Sequence, residues 1–313
     1  MSARTIAASL LALLVVLVAS GCGSSATVDG DIGRRTVRVT ATTNFITDMV
    51  RQVGGERVEV TGLMGPGVDP HLYKASAGDV RSLRDADVIF YGGLQLEGKM
   101  DDLLRELADD QRTQAVTDGM PRERLLDPGG QVAEQYDPHV WFDVELWKSA
   151  VETVRDTLAE VDPDHARAYQ RNAKRYLAEL DDLHEYARVQ IARIPERQRL
   201  LVTSHDAFEY FGRAYGIDVE AIQGISTAAE ATTADIQRVA ETIAAREVRS
   251  VFVESSVPRQ TIEAVIAAAA DRGQQVEVGA ELYSDAAGEE GAEEGTYVGM
   301  VRANVDRIVE GLR

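Results

Sequence analysis

The 313-residue sequence contains a single cysteine, Cys22, so an internal disulfide is excluded even in an oxidising compartment. Basic residues are also few, since 33 lysines and arginines face 52 aspartates and glutamates and give a formal net charge of −19. A surface that binds nucleic acid must neutralise phosphates with basic side chains, so this balance argues against a nucleic-acid partner. We expect the acidic surface to serve mainly solubility.

Long apolar runs are absent except for one at the N-terminus, between Ile6 and Ala19. This run is too short to span a bilayer comfortably, and it follows a basic residue, Arg4, as in a secretory signal peptide. Residues 1–21 are therefore predicted to be a signal peptide. No other segment of the sequence reads as a membrane span, so we expect the mature protein to be anchored at a membrane and not embedded in it.

The predicted signal peptide is followed directly by Cys22, with two small residues, Ser20 and Gly21, before it. Small residues before a cysteine are typical of a bacterial lipobox, in which the cysteine is lipidated and becomes the new N-terminus. Ala19 stands where a lipobox usually has leucine. Lipidation of Cys22 is still favoured over a buried structural cysteine, because Cys22 lies outside any periodic segment. Residues 22–35 are then a flexible, lipid-anchored tether on the extracytoplasmic side of the cell membrane, at the bacterial cell surface.

The rest of the sequence alternates short β-rich segments with helical patterns. This alternation predicts an α/β fold with two lobes, each with a mainly parallel four-stranded sheet flanked by helices. The predicted strands cover residues 36–43, 57–64, 87–93 and 114–119 in the first half and 199–205, 218–224, 249–256 and 275–284 in the second.

Between the two halves, apolar residues recur every three or four positions from Tyr169 to Ile194, which is one face of a helix. Pro163 is a favourable start for this helix and Pro195 a favourable stop. We predict a single connecting helix, with an ordinary lobe helix broken near Asp181 as the alternative. The predicted divisions of the mature chain are an N-terminal lobe over 36–162, the connecting helix over 163–195 and a C-terminal lobe over 196–313.

The chain has only five histidines, and two of them, His71 and His139, end an Asp-Pro-His triplet. Parallel α/β sheets place ligands outside the carboxyl ends of their strands, where His71, His205 and Asp285 follow predicted strands and His139 follows by a longer loop. Proline stiffens each triplet, and its aspartate is placed to cap the turn or orient the imidazole. Three imidazoles and one carboxylate suit Zn²⁺ or Mn²⁺, so these four residues are the predicted metal site. The other histidines are predicted to be surface residues of the long helix: His165 and His184.

Several longer motifs occur together and in a fixed order. The sequence contains GPGVDPHLYKASAGDVRSLRDADVIFYGGLQLEGKM, YDPHVWFDVELW, VTSHDAFEYFGRAYGI, GISTAAEATTADI, VFVESSVP and ELYSDAAG, followed by GTYVGMVRANVDRIVEGL. From about Val37 to the C-terminus the chain resembles the TroA-like substrate-binding lipoproteins of zinc and manganese ABC transporters. The resemblance implies two lobes joined by a long rigid helix, and it places the family's metal ligands on His71, His139, His205 and Asp285.

The resemblance also implies a function. We expect an extracytoplasmic solute-binding protein, and not an enzyme, that captures one divalent transition metal between its lobes and delivers it to an ABC transporter permease for import. We expect it to act as a monomer. Family members with Glu at the third ligand position resemble manganese or iron receptors, whereas this chain has His205. Members restricted to zinc often carry a His-rich acidic insertion, which this sequence lacks, so the choice among zinc, manganese and iron stays open.

Two other classes of function are weighed against this one. A zinc-dependent hydrolase would need an open coordination position and a nearby general base. The HExxH and GxSxG motifs are absent, and Ser204, His205 and Asp206 are sequence neighbours, which is not how a catalytic triad is built. A surface adhesin lipoprotein with incidental metal is the second alternative, but it leaves the four predicted ligands unexplained.

Overall fold

The computed structural model describes residues 32–127 and 136–313. The predicted signal peptide, Cys22 and all but the last four residues of the predicted tether lie outside the described residues. Within the described ranges, no helix is both long enough and apolar enough to cross a membrane.

The first lobe is built around one fully parallel sheet with the strand order β2-β1-β3-β4. Three of its strands fall where the sequence predicts them, but β4 begins two residues before the predicted segment. It is an edge strand, so its first residues, Arg112 to Gln114, are polar and partly exposed. The elements of this lobe are β1 (Val37–Ala41), α1 (Asn44–Gly54), β2 (Val58–Gly62), α2 (Ala77–Asp85), β3 (Val88–Tyr91), α3 (Asp101–Asp110) and β4 (Arg112–Ala115).

Two helices, α4 (Val144–Val161) and α5 (Ala166–Ile191), run between the lobes. Helix α5 is the predicted connecting helix. It is continuous over 26 residues, or about 39 Å, so the alternative of a break near Asp181 is wrong. It is shorter than predicted because its first turn, Pro163–His165, is a 3₁₀ helix and its last turn loosens before Pro195. Its buried face is the predicted apolar stripe: Tyr169, Ala173, Tyr176, Leu180, Leu183, Ala187 and Ile191.

The second lobe also has parallel strands flanked by helices, but its sheet is divided into two pairs, β6-β5 and β7-β8. The pairs are joined where the backbone N–H of Phe252 donates to the carbonyl of Val202 at 2.9 Å. The α/β fold of two lobes is therefore confirmed, with a less regular second sheet than predicted. The elements are β5 (Leu200–His205), α6 (Glu209–Tyr215), β6 (Asp218–Gln223), α7 (Thr233–Ala245), β7 (Ser250–Val251), α8 (Gln260–Ala270), β8 (Glu277–Val278) and α9 (Tyr297–Leu312).

The largest hydrophobic cluster extends from the first lobe through α4 and α5 to α9 of the second. At its centre, the ring of Trp147 in α4 lies 5.9 Å from that of Phe45 in α1 and 5.6 Å from that of Tyr297 in α9. Because both lobes share this buried core along α5, their relative position is held firmly on that side.

Candidate metal centre

Four chain segments bring the predicted ligands to one point between the lobes. His71 lies in the loop after β2, and His139 lies in the turn that leads into α4. His205 is the last residue of β5, and Asp285 follows the bridge between Glu254 and Leu282 that extends the β7-β8 pair. Each lobe thus contributes two side chains, and three of the four follow the carboxyl ends of strands, where α/β folds place their ligands.

The four side chains lie within the reach of a single ion. Nε2 of His71 is 3.3 Å from Nε2 of His139, and Oδ1 of Asp285 is 3.5 Å from Nε2 of His139 and 3.4 Å from Nε2 of His205. All four candidate ligand atoms lie within 4.8 Å of one another. A tetrahedral zinc ion with bonds of about 2.1 Å separates its ligand atoms by about 3.4 Å, which matches the three shorter separations.

The site is closed off from water. Among its side chains His139 and His205 are fully buried, Asp285 is 1% exposed and His71 is 4% exposed. Nε2 of His205 and Oδ1 of Asp285 are buried without a hydrogen-bond partner. A buried polar atom left in this state costs about 1–3 kcal/mol, so two such atoms facing each other indicate a place for a cation.

An aspartate of each Asp-Pro-His triplet holds the histidine that ends it, as the sequence indicates. Oδ1 of Asp69 accepts the backbone N–H of His71 at 2.8 Å. Oδ1 of Asp137 accepts both the backbone N–H of His139 at 2.9 Å and Nδ1–H at 2.7 Å. In the neutral ring this second bond keeps the proton on Nδ1, so that Nε2 is the nitrogen that binds a metal once its own proton is displaced.

Glu254 supports His205 in the same way and is not identified in the sequence analysis. Its Oε1 accepts the backbone N–H of His205 at 2.9 Å, and its Oε2 accepts Nδ1–H at 2.5 Å. The signal for it was its place at the end of a predicted strand, residues 249–256, on the same sheet edge as His205. A carboxylate at the end of one strand can accept hydrogen bonds from a residue at the end of the adjacent strand, here His205.

The electrostatics of the site favour positive charge. Burial lowers the pKa of His139, but the charge and hydrogen bond of Asp137 and the nearby Asp285 outweigh it and raise this pKa to about 9. Burial likewise opposes the rise at His205, whose pKa is held well above its usual value by Glu254 and Asp285. The carboxylates around the two histidines therefore stabilise positive charge at the site, as a bound cation would supply.

The pKa values of the other two candidate ligands are both lowered, but for different reasons. Burial raises the pKa of Asp285, but His205, His139 and His71 outweigh it and hold this pKa well below its usual range, so Asp285 is an anion. At His71 burial dominates over the attraction of Asp285 and lowers the pKa to about 4. His71 is therefore a neutral imidazole with an available lone pair at neutral pH.

Two residues of the first lobe fix the segment that carries Asp285. Asn44, at the start of α1, donates its Nδ2–H to the carbonyl of Ala287 at 2.8 Å and accepts the N–H of Ala287 at 2.9 Å. The indole N–H of Trp141 donates to the carbonyl of Ser284 at 3.1 Å. Contacts from one lobe therefore position a ligand of the other, which the sequence alone does not reveal.

The last two histidines lie outside the cluster of four. His165 is half-buried and its Nδ1 bonds to Oδ1 of Asp162 at 2.9 Å. His184 is also half-buried, with Nδ1 at 3.4 Å from the hydroxyl of Tyr215. Both side chains remain partly exposed, as expected of residues outside the metal site. The partner of His165 is a near neighbour in the chain, whereas that of His184 lies on α6.

Comparison with known proteins identifies the family. The profile of the family described as "Zinc-uptake complex component A periplasmic" matches residues 39–311. The manganese-binding lipoprotein MntA of Bacillus subtilis (strain 168) is 44% identical over 301 residues, which cover 96% of this chain and 97% of that protein. The zinc-binding protein TroA of Treponema pallidum (strain Nichols) is 44% identical over 274 residues, 88% of each chain.

A solved structure gives the same result for the fold. The periplasmic zinc-binding protein TroA from Treponema pallidum superimposes with a TM-score of 0.86 at 44% identity, over 88% of this chain and 99% of that one. The match of sequence and of fold extends over both lobes, and it confirms the resemblance seen in the sequence motifs. The chain belongs to the family of periplasmic zinc-uptake components, the metal-binding substrate-binding lipoproteins of zinc and manganese ABC transporters.

Proposed function

We propose that this protein is an extracytoplasmic solute-binding protein that captures one divalent transition metal, Zn²⁺ or Mn²⁺, between its lobes and delivers it to an ABC transporter permease for import. The ligands in this proposal are His71, His139, His205 and Asp285. One observation carries it: four buried ligand atoms from four segments, two from each lobe, lie within 4.8 Å of one another. Burying three imidazoles and a carboxylate together costs free energy, and a cation bound between them would offset that cost.

The donor set supports both zinc and manganese. Three imidazole nitrogens and one carboxylate oxygen are a usual zinc environment, and zinc binds such a site more tightly than manganese does. Manganese prefers more oxygen ligands, and a carboxylate such as Asp285 can supply a second oxygen; in the structure this Oδ2 accepts a hydrogen bond from Ser256 at 3.3 Å. One of the two similar relatives is named for manganese and the other for zinc, at equal identity.

The proposal extends to the parts of the chain outside the metal site. In this proposal residues 1–21 are removed as a signal peptide, Cys22 carries the lipid anchor, and residues 22–35 tether the protein to the bacterial cell surface. The lobes over 36–162 and 196–313, joined by the helix segment 163–195, close around the metal. The mature protein acts as a monomer, takes no nucleic acid and hands its metal to the permease.

A zinc-dependent hydrolase fits the site less well. Hydrolysis by zinc needs a water on the metal, and so it needs a coordination position that the protein leaves open. Here four side chains enclose the site and none is more than 4% exposed. The family to which the chain belongs consists of components of metal uptake and not of enzymes.

Titration calorimetry of the purified mature protein with Zn²⁺ and with Mn²⁺ tests the proposal. We expect one equivalent of metal to bind, and we expect His139→Ala to weaken binding by about a hundredfold or more, since it removes one of four ligands. His184→Ala, a histidine outside the cluster, is the matched control and should bind as the wild type does. Equal affinity in the wild type and His139→Ala would refute the assignment of the site.

A further inference from the structure

The loop that carries His71 is tied to the opposite lobe through Asp69. Oδ1 of Asp69 accepts the backbone N–H of His71 at 2.8 Å, within the first lobe. Oδ2 of the same carboxylate accepts the hydroxyl of Thr227 at 2.6 Å. Thr227 lies in the second lobe, in the loop between β6 and α7. A single carboxylate therefore joins a ligand loop of one lobe to a loop of the other.

His71 depends on this tie more than the other two histidines depend on their partners. Asp137 and Glu254 each hold both the backbone N–H and the ring Nδ1–H of their histidine. Among the described residues, no carboxylate is hydrogen-bonded to Nδ1 of His71. The aspartate of its own triplet, Asp69, accepts only the backbone N–H of His71. The orientation of the His71 imidazole is thus set by its loop, and Asp69 fixes the loop.

The His71 loop and the Thr227 loop also border the same opening. A cleft of about 800 Å³ is lined by His71 on one side and by residues 224–226 and Ala228 on the other. Beside it, a Cβ atom built on Gly67 (φ +68°) would lie 3.3 Å from the carbonyl oxygen of Ser255. The two lobes therefore approach each other closely around the most exposed of the four ligands.

We propose that Thr227 is a positioning residue of the metal site, and that its hydrogen bond to Asp69 slows metal release by holding the His71 loop across the cleft. This proposal rests on the proposed function, since the ligand is the metal. When the bond breaks, the His71 loop loses its tie to the second lobe, and the ligand with no carboxylate on its ring departs first. Hydrogen bonds to a charged carboxylate are about twice as strong as neutral ones, so the loss is large enough to measure as a rate.

Three variants separate the hydroxyl of Thr227 from the rest of its loop. Thr227→Val removes the hydroxyl and keeps the shape, whereas Thr227→Ser keeps the hydroxyl. Ser226→Ala is the matched control, because within the described part of the chain the hydroxyl of Ser226 accepts only the backbone N–H of Ala228, at 3.3 Å. In stopped-flow mixing of zinc-loaded protein with excess chelator, we expect Thr227→Val to release zinc about tenfold faster than the wild type. Thr227→Ser and Ser226→Ala should stay within about twofold of the wild type.

Hydrogen exchange of the metal-free protein gives a second measurement that needs no bound metal. Peptides covering residues 68–72 should exchange faster in Thr227→Val than in the wild type, while the melting temperature stays within about 2 °C. Equal zinc release by Thr227→Val and the wild type would overturn the proposal, as would a serine variant as fast as the valine variant. If the wild type binds no metal, the proposed function fails, and the exchange of residues 68–72 still decides whether Thr227 holds the His71 loop.

Discussion

Replacing Glu254 by glutamine should weaken metal binding although Glu254 does not face the metal. Oε2 of Glu254 accepts Nδ1–H of His205 at 2.5 Å, which leaves Nε2 of His205 with a lone pair for the metal. An amide nitrogen at the position of Oε2 can only donate. Nδ1 of His205 would then become the acceptor, the ring proton would move to Nε2, and the proton would occupy the metal-binding lone pair.

The expected magnitude follows from the role of such orienting groups. Replacing a carboxylate that orients a metal-bound imidazole typically weakens metal affinity 10–100-fold, or about 1.4–2.7 kcal/mol. We expect the upper half of this range, because both atoms of the pair are fully buried and solvent cannot replace the lost charge. Competition with a chromophoric zinc chelator measures the dissociation constant directly.

A matched control separates this effect from a general loss of acidic charge. Glu281→Gln removes a carboxylate of the same lobe that is exposed and lies 3.9 Å from Arg259, and it should leave the dissociation constant unchanged. Wild-type affinity in Glu254→Gln would refute the reasoning that the ring proton of His205 is fixed by Glu254. The circular dichroism spectrum of Glu254→Gln should match that of the wild type, which shows that weaker binding is not caused by partial unfolding.

Four further predictions follow from single features of the structure. Asp285→Asn removes the only anionic ligand and should weaken zinc binding about a hundredfold in calorimetry. Asn44→Ala loses both hydrogen bonds to Ala287 and should destabilise the protein by about 1–2 kcal/mol in urea unfolding. Zinc at a hundred times its dissociation constant should stabilise the protein by about 2.7 kcal/mol and raise the melting temperature, and EDTA should reverse this. Asp87→Asn should destabilise the protein by about 1 kcal/mol at pH 7, because Asp87 pairs with Arg35 through two bonds of 2.6 and 2.8 Å that are partly screened by solvent.

The same aspartate predicts a pH dependence. Burial raises the pKa of Asp87, but Arg35 and the backbone N–H of Arg38 outweigh it and lower this pKa below its usual value near 3.8. A carboxylate with a lowered folded-state pKa stabilises the fold above its unfolded-state pKa, and this contribution is lost as pH falls through the folded-state value. Urea unfolding between pH 7 and pH 2 should therefore show a smaller acid-induced loss of stability in Asp87→Asn than in the wild type.

The four candidate ligands could be predicted from the sequence because strand ends in parallel α/β folds share one edge. To predict His205 and Asp285 as ligands, it was enough to assign correctly the strand that precedes each of them. The long helix was also predictable, since its buried face follows a regular step from Tyr169 to Ile191.

The rest depends on contacts between segments that are far apart in the chain. Glu254 supports His205 across 49 residues, and Thr227 reaches Asp69 across 158, and neither pair leaves a local pattern. The division of the second sheet was not predictable either, because β7 and β8 pair over only two residues each. Their lengths are set by packing against neighbouring elements, which overrides the local strand propensity.

X-ray absorption spectroscopy of the zinc-loaded protein tests the central claim most directly. Three imidazoles and one carboxylate predict a first shell of four nitrogen and oxygen atoms at about 2.0–2.1 Å, with the multiple scattering of three imidazole rings. His205→Ala should reduce the imidazole contribution from three rings to two. A shell made of water oxygens with no imidazole scattering, or a spectrum unchanged by His205→Ala, would contradict the assignment of the metal to this cluster.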